Sequence, residues 1–456
     1  MMQTLLTALA QAAPALPATS VGVGSRFMGF VGIAVLILIA YAMSENRRAI
    51  SWRLVWMALL LQAVFALLVL KTAVGLWFFA QVGALVDALL AFTAEGAGFV
   101  FGNLVHSNVP VGLTRPDGSF DATAGMVANT GAFFAFNVLP TIIFLASLMA
   151  VLYYLHVMQP IVKAIAWVMQ KTLRTSGAET LSASANIFLG QTEAPLVVRP
   201  YLNGMTQSEL FNVMVCGFAT AASGVLAAYT LMLRDVIPNI AGHLLAATIL
   251  QTPAAILVSK MIVPETEVPA TLDTTHVEVE NTSVNVLEAA AAGASEGVHL
   301  AINVGGMLMA FIAMIALLNA VVAWAGGRVG IAGLTIQAIM GEMLRPMAWV
   351  MGVPWNETPY VGALIGLKTT LNEFVAFAQF ASDMRTGAVT LSPRTAVIAS
   401  YAVLGFANFS SIAIQIGGIG GLVPARRGDI ARMGLKGMIA GNLAAFMAAC
   451  WAGILL

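Results

Sequence analysis

Two long apolar runs constrain this chain more than any other feature. Residues 27–43 and 54–70 contain no acidic or basic side chain. A helix needs about 20 mostly apolar residues to cross the hydrocarbon core of a bilayer, and both runs approach that length. The whole chain of 456 residues is 59% hydrophobic and 9% charged, whereas a soluble domain carries about 25% charged residues. The sequence therefore predicts a polytopic membrane protein.

The charge and cysteine content exclude several other classes of protein. The chain has 21 basic and 21 acidic residues, so no overall positive field attracts nucleic acid. The two cysteines, Cys216 and Cys450, lie in apolar runs and cannot form a disulfide framework or a four-ligand zinc site. Residues 293–297 fit the G-x-S-x-G pattern of hydrolases, but an Ala-rich helix precedes them where that motif requires a strand. We therefore predict a protein that is not an enzyme and has no cofactor, with a membrane-embedded hydrolase as the remote alternative.

Apolar stretches elsewhere in the chain predict about eight membrane spans in total. The further candidates are residues 131–157, 208–232, 240–262, 298–325, 394–422 and 437–456. Residues 1–26 lack a basic segment before their apolar part, which predicts a retained N-terminal tail and not a cleaved signal. Lys and Arg cluster at residues 47–53, 163–174 and 426–436. Positively charged loops stay in the cytoplasm, so we expect the N-terminus on the outer side.

Two further apolar segments carry polar residues at their centres. Residues 182–202 and 362–380 each contain Gly, a Glu and several amide or hydroxyl groups. Unpaired backbone is too costly in lipid, so each segment must be buried in protein or line a cavity. We predict two re-entrant hairpins on opposite sides of the membrane, each followed by an interrupted span, at 217–229 and 405–418. Such paired interruptions in the two halves of a chain indicate the midplane site of a secondary transporter.

This organisation divides the chain into a scaffold and two transport-domain repeats. The predicted parts are the tail at 1–26, scaffold spans and interfacial helices at 27–160, a first transport repeat at 161–262 with its hairpin at about 180–203, a cytoplasmic linker and interfacial helix at 263–297, a scaffold span at 298–330, and a second transport repeat at 331–456 with its hairpin at about 340–380. Residues 109–124, which contain Pro110, Pro116 and Gly118, are predicted to form an exposed loop.

Two glutamates in the interrupted segments are the main candidate binding residues. An ionisable side chain at membrane depth is costly and is a functional candidate by default, which points to Glu193 and Glu373. Their carboxylates could accept hydrogen bonds from a polar solute. The alternative is a structural ion pair, Glu193 with Arg199 or Glu373 with Lys368. Neighbouring amides and hydroxyls suit a neutral solute with many hydroxyls and ring heteroatoms; they are Gln191, Thr192, Asn372, Asn408, Ser410 and Ser411.

A possible cation site lies beside these residues. The breaks at residues 186–190 and 220–221 expose backbone carbonyls next to hydroxyl and amide oxygens, and transporters coordinate sodium in this way. The alternative is a water molecule at a helix kink. A cation is useful here because a neutral solute feels no membrane potential, whereas one inward positive charge gains about 2.3 kcal/mol per 100 mV.

Three motifs in sequence order resemble the concentrative nucleoside transporter family, specifically a bacterial-type member. Residues 366–377 match its G-x-K-x-x-x-N-E-F-V-A-aromatic signature. Residues 190–195, followed by Arg199-Pro200-Tyr201, match its first hairpin, and residues 406–412 match its broken seventh span. The likeness runs from about residue 130 to the C-terminus.

The resemblance implies an all-α polytopic membrane protein with about eight transmembrane helices, two opposed re-entrant helical hairpins in an inverted repeat, and interfacial helices. It implies a homotrimer in the bacterial inner membrane and a transport domain that moves like an elevator against a scaffold. The outer side on which the charge pattern places the N-terminus is then the periplasm. The activity it implies is import of purine and pyrimidine nucleosides, such as uridine, cytidine and adenosine, by symport with sodium. A proton-coupled symporter and, from a different class, a channel are the alternatives.

The resemblance also implies roles for individual residues. The nucleobase would face Gln191, Thr192 and Glu193, with Val225 and Phe406 packing against it. The ribose hydroxyls would bind Glu373, Asn408 and Ser411. The family's sodium site falls on Asn186, Leu189, Thr220 and Ala221. Ala221 replaces a bulkier aliphatic residue, which matters little where only its carbonyl binds the ion.

Overall fold

The computed structural model describes residues 23–106, 108–117, 119–129, 134–272, 283–328, 330–331 and 333–456. The predicted N-terminal tail lies outside the described residues up to residue 22, and so do residues 273–282 of the predicted linker. The first helix begins at Val23, slightly before the end of that predicted tail.

Helices make up nearly all of the described structure. In the first half they are α1 (Val23–Ala42), α2 (Trp52–Lys71), α3 (Ala73–Phe101), α4 (Leu139–Tyr154), α5 (Met158–Leu173), α6 (Gly177–Ala185), α7 (Arg199–Leu202), α8 (Gln207–Ala219) and α9 (Ser223–Leu233). In the second half they are α10 (Ile240–Ile262), α11 (Val286–Arg328), α12 (Ile336–Val350), α13 (Thr358–Thr370), α14 (Glu373–Thr386), α15 (Pro393–Val403), α16 (Phe409–Leu422) and α17 (Arg427–Leu455). The predicted all-α polytopic fold is confirmed, apart from one short β-hairpin.

Eight helical segments of the described chain are long and apolar enough to span a membrane, which agrees with the predicted number. They are Gly24–Ala42, Trp52–Lys71, Ala73–Val105, Phe134–Tyr154, Gln207–Leu233, Ile240–Ile262, Val286–Arg328 and Pro424–Leu455. The set differs from the prediction at two places. Ala73–Val105 was missed because Asp87 and Glu95 interrupt its apolar pattern. The predicted span at 394–422 is divided between α15 and α16, neither of which crosses alone.

The centre of the bundle is formed by α10 and α17. The most apolar windows of these two segments are 83% and 89% buried, whereas that of α11 is 6% buried. Helix α17 packs against α1, α8, α10, α15 and α16. Its small residues permit this close approach: a Cβ atom on Gly441 would lie 2.5 Å from the Cβ of Phe218 in α8. Helix α11 instead packs mainly along α4 at the periphery.

A buried ionic cluster joins α6, α8 and α10 at one end of the bundle. The Lys260 ammonium lies 2.9 Å from the Glu179 carboxylate and 3.2 Å from that of Glu265. Glu179 and Glu209 each close a capping box at the start of their helix. Because Ser176 of the first box also donates a hydrogen bond to Glu209 of the second, the two helix starts are linked.

The predicted loop at 109–124 is wrong. These residues form an antiparallel hairpin of β1 (Asn108–Thr114) and β2 (Phe120–Asn129). Of the residues that suggested a loop, Pro116 lies in the turn, and Pro110 lies at an irregularity in register between Pro110 and Gly112. Beside the turn, the Arg115 guanidinium pairs with the Asp121 carboxylate at 2.5 Å.

Two pairs of short helices occupy the positions of the predicted hairpins. The first pair comprises α6 and the segment from Ala194 to Leu202. The second comprises α13 and α14, which join at residues 371–372. The second pair begins at Thr358, later than the predicted start at about 340, because α12 is a separate helix that packs along α13.

Candidate functional site

The N-termini of α14 and α16 both place polar residues beside the same cavity. Asn372 caps α14, and its side-chain oxygen accepts a hydrogen bond from the backbone N–H of Val375 at 2.9 Å. Glu373 is therefore the first residue of α14. Asn408 caps α16 in the same way, accepting from the N–H of Ser411 at 2.9 Å. Asn is a favoured cap because its short side chain reaches the free amides of the first turn, so these local sequences fix where both helices begin.

The residues predicted to bind substrate all line one cavity of about 110 Å³. They are Gln191, Thr192, Glu193, Val225, Glu373, Phe406, Asn408 and Ser411. The cavity is also lined by Leu300, Val304 and Met307, which sequence reasoning missed. These three residues share one face of α11, and their spacing of four and three residues is the signal that could have identified them.

Glu373 is bound by neutral hydrogen-bond donors. Its Oε1 accepts a hydrogen bond from the Tyr229 hydroxyl at 2.9 Å, and its Oε2 accepts from the Asn408 amide, also at 2.9 Å. The predicted alternative, an ion pair with Lys368, does not form: the Lys368 ammonium donates to the Asn442 side chain at 2.7 Å and to the Ala402 carbonyl at 3.5 Å. Glu373 is 3% exposed, so its charge is held by dipoles in a buried position next to the cavity.

Glu193 also lacks the ion pair proposed as its alternative role. Arg199 is exposed and makes no salt bridge with Glu193 in the described part of the chain. The Oε2 atom of Glu193 is buried and has no hydrogen-bond partner among the described residues. This carboxylate folds back over Gly190, where any Cβ atom would collide with it. This oxygen can therefore accept a hydrogen bond from a ligand only if the side chain turns away from Gly190.

A chain of amides supports Gln191 at the cavity wall. Gln191 donates a hydrogen bond from Nε2 to the Ser411 hydroxyl at 3.2 Å. Its Oε1 accepts from the Gln415 amide at 3.2 Å, and the same Gln415 nitrogen donates to the Met214 carbonyl at 3.0 Å. Gly217 leaves room for this arrangement, because a Cβ there would lie 3.0 Å from both glutamine side chains.

The four residues predicted to bind sodium lie in two adjacent helix breaks. Asn186 and Leu189 follow the end of α6, and Thr220 and Ala221 lie between α8 and α9. A backbone hydrogen bond of 3.1 Å, from the N–H of Ser223 to the carbonyl of Phe188, holds the breaks together.

The oxygen atoms in these breaks suit a hard monovalent cation. The Asn186 Oδ1 is buried and has no hydrogen-bond partner among the described residues. The same is true of the Ser182 hydroxyl, one turn earlier. The Thr220 hydroxyl donates its hydrogen to the Cys216 carbonyl at 2.9 Å. The lone pairs of the hydroxyl oxygen remain available to a cation. Among the described residues, no group of three or more His, Cys, Asp or Glu side chains is arranged to hold a metal ion. Neutral oxygens without thiolate or imidazole favour sodium-like ions over transition metals.

The two broken spans touch through their backbones. The N–H of Phe406 donates to the Thr220 carbonyl at 3.3 Å. Gly405 has a φ of 108°, and a Cβ on this residue would collide with the Ala219 carbonyl. Glycine is therefore required at this crossing, both for its backbone angle and for the close approach. The crossing brings the candidate cation site next to the cavity.

Comparisons with known proteins cover almost the whole chain. Three family models match: the N-terminus of Na+ dependent nucleoside transporters at residues 31–104, a nucleoside recognition gate at 135–235, and the C-terminus of Na+ dependent nucleoside transporters at 243–453.

Similar full-length proteins include both bacterial and mammalian transporters. An uncharacterized transporter of Haemophilus influenzae is 43% identical over 434 residues, which are 95% of this chain and 98% of that protein. The rat sodium/nucleoside cotransporter 1 is 40% identical over 442 residues, which cover 94% of this chain but 64% of the rat protein.

Solved structures of CNTnw resemble the fold closely. The inward-facing, substrate-bound structure has a TM-score of 0.84 and 42% identity, and the match covers 94% of this chain and 98% of CNTnw. An outward-facing structure of a CNTnw variant has a TM-score of 0.83 and the same identity, with 94% of this chain and 97% of that one covered. This fold is therefore compatible with both orientations of a transporter.

Proposed function

Because this chain belongs to the family of Na+-dependent nucleoside transporters, we propose how its own residues carry a nucleoside and sodium together across the membrane. The family consists of membrane transporters and not enzymes, and sodium is its coupling ion. Structural relatives in inward- and outward-facing states support alternating access. The proton-coupled alternative is not favoured by these findings, and neither is a hydrolase.

The observation that carries the site assignment is a cavity lined by two carboxylates, neither of which forms a salt bridge within the described part of the chain. Glu373, Asn408 and Ser411 bind the ribose hydroxyls. Gln191, Thr192 and Glu193 face the nucleobase, and Val225 and Phe406 pack against its ring. This combination of apolar walls with a few convergent polar groups is typical of small-molecule sites. Carboxylate oxygens are strong acceptors for hydroxyl donors, which suits an uncharged sugar.

We also propose that the cavity moves past a fixed apolar wall. A volume of about 110 Å³ is below the roughly 300 Å³ of typical ligand pockets, so a nucleoside requires the cavity to widen. The wall formed by Leu300, Val304 and Met307 belongs to α11, which packs mainly on α4. The polar lining belongs to other elements. An elevator movement between the two groups of helices would break no hydrogen bond at this wall.

Sodium supplies the energy for accumulation. A nucleoside carries no net charge, so the membrane potential does no work on it. One sodium ion moving inward gains about 2.3 kcal/mol per 100 mV. This energy corresponds to a concentration ratio of roughly fiftyfold for the nucleoside.

The overall function is tested with purified protein in liposomes. Uridine uptake is measured under an imposed sodium gradient and, separately, under an imposed proton gradient at equal sodium. We expect saturable accumulation above the outside concentration with sodium only. Accumulation with the proton gradient alone would favour the other coupling ion, and simple equilibration under both gradients would indicate a channel.

The sodium assignment of Asn186, Leu189, Thr220 and Ala221 is tested by Thr220→Val. This change removes the side-chain oxygen at nearly constant volume. We expect the sodium concentration for half-maximal uridine uptake to rise about tenfold, because losing one ligand costs roughly 1–2 kcal/mol. At saturating sodium, uridine affinity should change little.

The matched control for this prediction is Thr230→Val. Thr230 makes the same type of bond, from its hydroxyl to the Leu226 carbonyl at 2.9 Å, but lies within α9 away from the break. It should leave the sodium dependence unchanged. An equal effect of both substitutions would mean that helix stability, and not ion binding, is responsible.

The remaining proposals concern the orientation of the protein in the membrane, its oligomeric state and the range of nucleosides that it accepts. The Lys and Arg clusters support a cytoplasmic position for the loop after α1 and hence a periplasmic N-terminus. We propose that the chain acts as a homotrimer in the bacterial inner membrane. We also propose that it accepts both purine and pyrimidine nucleosides, because apolar packing from Val225 and Phe406 does not distinguish one ring from two.

A further inference from the structure

We propose that Gln415, which does not line the cavity, determines the hydrogen-bond polarity that Gln191 presents to the nucleobase. This inference rests on the proposed function, in which Gln191 faces the base. It makes Gln415 a positioning residue for substrate selection. The preferred substrates would be nucleosides whose base offers a carbonyl oxygen, such as uridine and inosine, over those that offer an amino group at the same position, such as cytidine and adenosine.

A backbone carbonyl determines the orientation of the Gln415 amide. The Met214 carbonyl oxygen can only accept hydrogen bonds, and the atom of Gln415 that lies 3.0 Å from it must therefore be the amide nitrogen. The same nitrogen lies 3.2 Å from an amide atom of Gln191. That atom must be an acceptor, so it is the Gln191 oxygen. Because the two ends of a side-chain amide differ, the Gln191 nitrogen is turned toward Ser411 and the cavity.

Burial makes this orientation hard to reverse. Gln415 is 0% exposed and Gln191 is 6% exposed, so water does not compete for their donors and acceptors. If the Gln415 amide turned over, its oxygen would face the Met214 carbonyl oxygen. Its nitrogen would then occupy the present position of Oε1, where it would have no hydrogen-bond partner among the described residues. Buried polar groups without partners cost free energy. The absence of a side chain at Gly217 allows the two glutamines to pack together.

The consequence at the cavity is a fixed donor. An amide nitrogen has two hydrogens, and Gln191 uses one of them on the Ser411 hydroxyl. The second is available for the base. A carbonyl oxygen on the base can accept a hydrogen bond from this N–H. An exocyclic amino group at the same position is itself a donor and cannot pair with it. Sites built around a defined donor discriminate strongly against a ligand that leaves it unpaired.

The substitution Gln415→Glu tests the proposal because it should turn the Gln191 amide over. A protonated Glu would donate its one hydrogen to the Met214 carbonyl, so the same oxygen could only accept from Gln191, while an ionised Glu offers only acceptors. In both states Gln191 must donate toward position 415 and present its oxygen to the cavity. We expect the ratio of uptake efficiencies, kcat/KM for uridine over that for cytidine, to fall at least about tenfold. The inosine to adenosine ratio should fall in the same direction.

A second variant and a control protect the result from trivial effects. Gln415→Met removes the positioning bond without imposing the opposite one, so both ratios should approach one. Gln170→Glu makes the same chemical change at a residue whose amide contacts the Leu272 carbonyl away from the cavity, and it should leave the ratios unchanged. Thermal unfolding of each variant shows whether it is folded before transport is compared.

The outcomes separate this inference from the function on which it rests. If wild-type protein takes up uridine with sodium and folded Gln415→Met keeps its base preference, Gln415 does not position Gln191 and the inference is wrong. A wild-type protein that prefers cytidine to uridine would also overturn it. If the wild type takes up no nucleoside at all, the proposed function itself fails.

Discussion

Replacing Glu373 by Gln is expected to lower the affinity for uridine at least about a hundredfold, which corresponds to roughly 2.7 kcal/mol. The amide can occupy the same position, because its oxygen can accept from Asn408 while its nitrogen donates to the Tyr229 hydroxyl. Folding should therefore be preserved. The variant loses the charge and the second acceptor oxygen that the ribose hydroxyls require, and hydrogen bonds to charged acceptors are about twice as strong as neutral ones. Equilibrium binding of uridine in saturating sodium measures the effect.

Asp383→Asn is the matched control for this prediction. Asp383 belongs to the same helix, α14, and accepts hydrogen bonds from Tyr360 at 2.8 Å and Gln379 at 2.7 Å. It does not line the cavity, so neutralising it should leave uridine affinity within about twofold. Wild-type affinity in Glu373→Gln would remove Glu373 from the binding site and, with it, the ribose assignment.

Replacing Lys260 by Met is expected to destabilise the protein by about 3–5 kcal/mol. Lys260 is 6% exposed and is the basic partner of Glu179 and Glu265. Without it, the buried Glu179 carboxylate remains beside the buried Glu209 with no compensating charge, and the partly exposed Glu265, which follows α10, loses its partner. The free energy of unfolding in detergent micelles, obtained from denaturant titration, measures the loss.

A surface lysine provides the comparison for Lys260. The Lys436 ammonium lies 2.6 Å from the Glu45 carboxylate, but both side chains are nearly half exposed. Exposed pairs contribute about 0–1 kcal/mol, so Lys436→Met should have a small effect. Similar losses in the two variants would show that the buried cluster has no special part in stability.

The sequence predicted the location of the site because polar residues in apolar segments are conspicuous. Glu193 and Glu373 stood out by charge, and the breaks around them stood out by their glycines and amides. The structure brings all eight residues predicted to bind substrate to one cavity. Their individual roles, the sodium ligands and the domain boundaries stay predictions until the experiments above are done.

The sequence did not reveal the residues that support the site. Tyr229 and Gln415 lie within helices, where a buried polar side chain gives no periodic signal that separates it from ordinary packing. The hairpin of β1 and β2 was missed because its prolines and glycines are equally typical of loops. Ala73–Val105 was passed over because of its two acidic residues, although its length and apolar composition are sufficient for a span. For Tyr229 and Gln415, three-dimensional neighbours and not local composition decide the outcome.

The apolar wall on α11 has a consequence for the direction of flow. Leu300, Val304 and Met307 offer the guest only dispersion contacts, and the polar groups of the lining belong to other elements, which in the proposed movement would travel with the guest. The nucleoside would then keep the same hydrogen bonds on both faces of the membrane and be held about equally well on each. Such a carrier has no built-in bias of its own. Inverting the ion gradient should make it run backwards and empty a loaded vesicle as readily as it fills one.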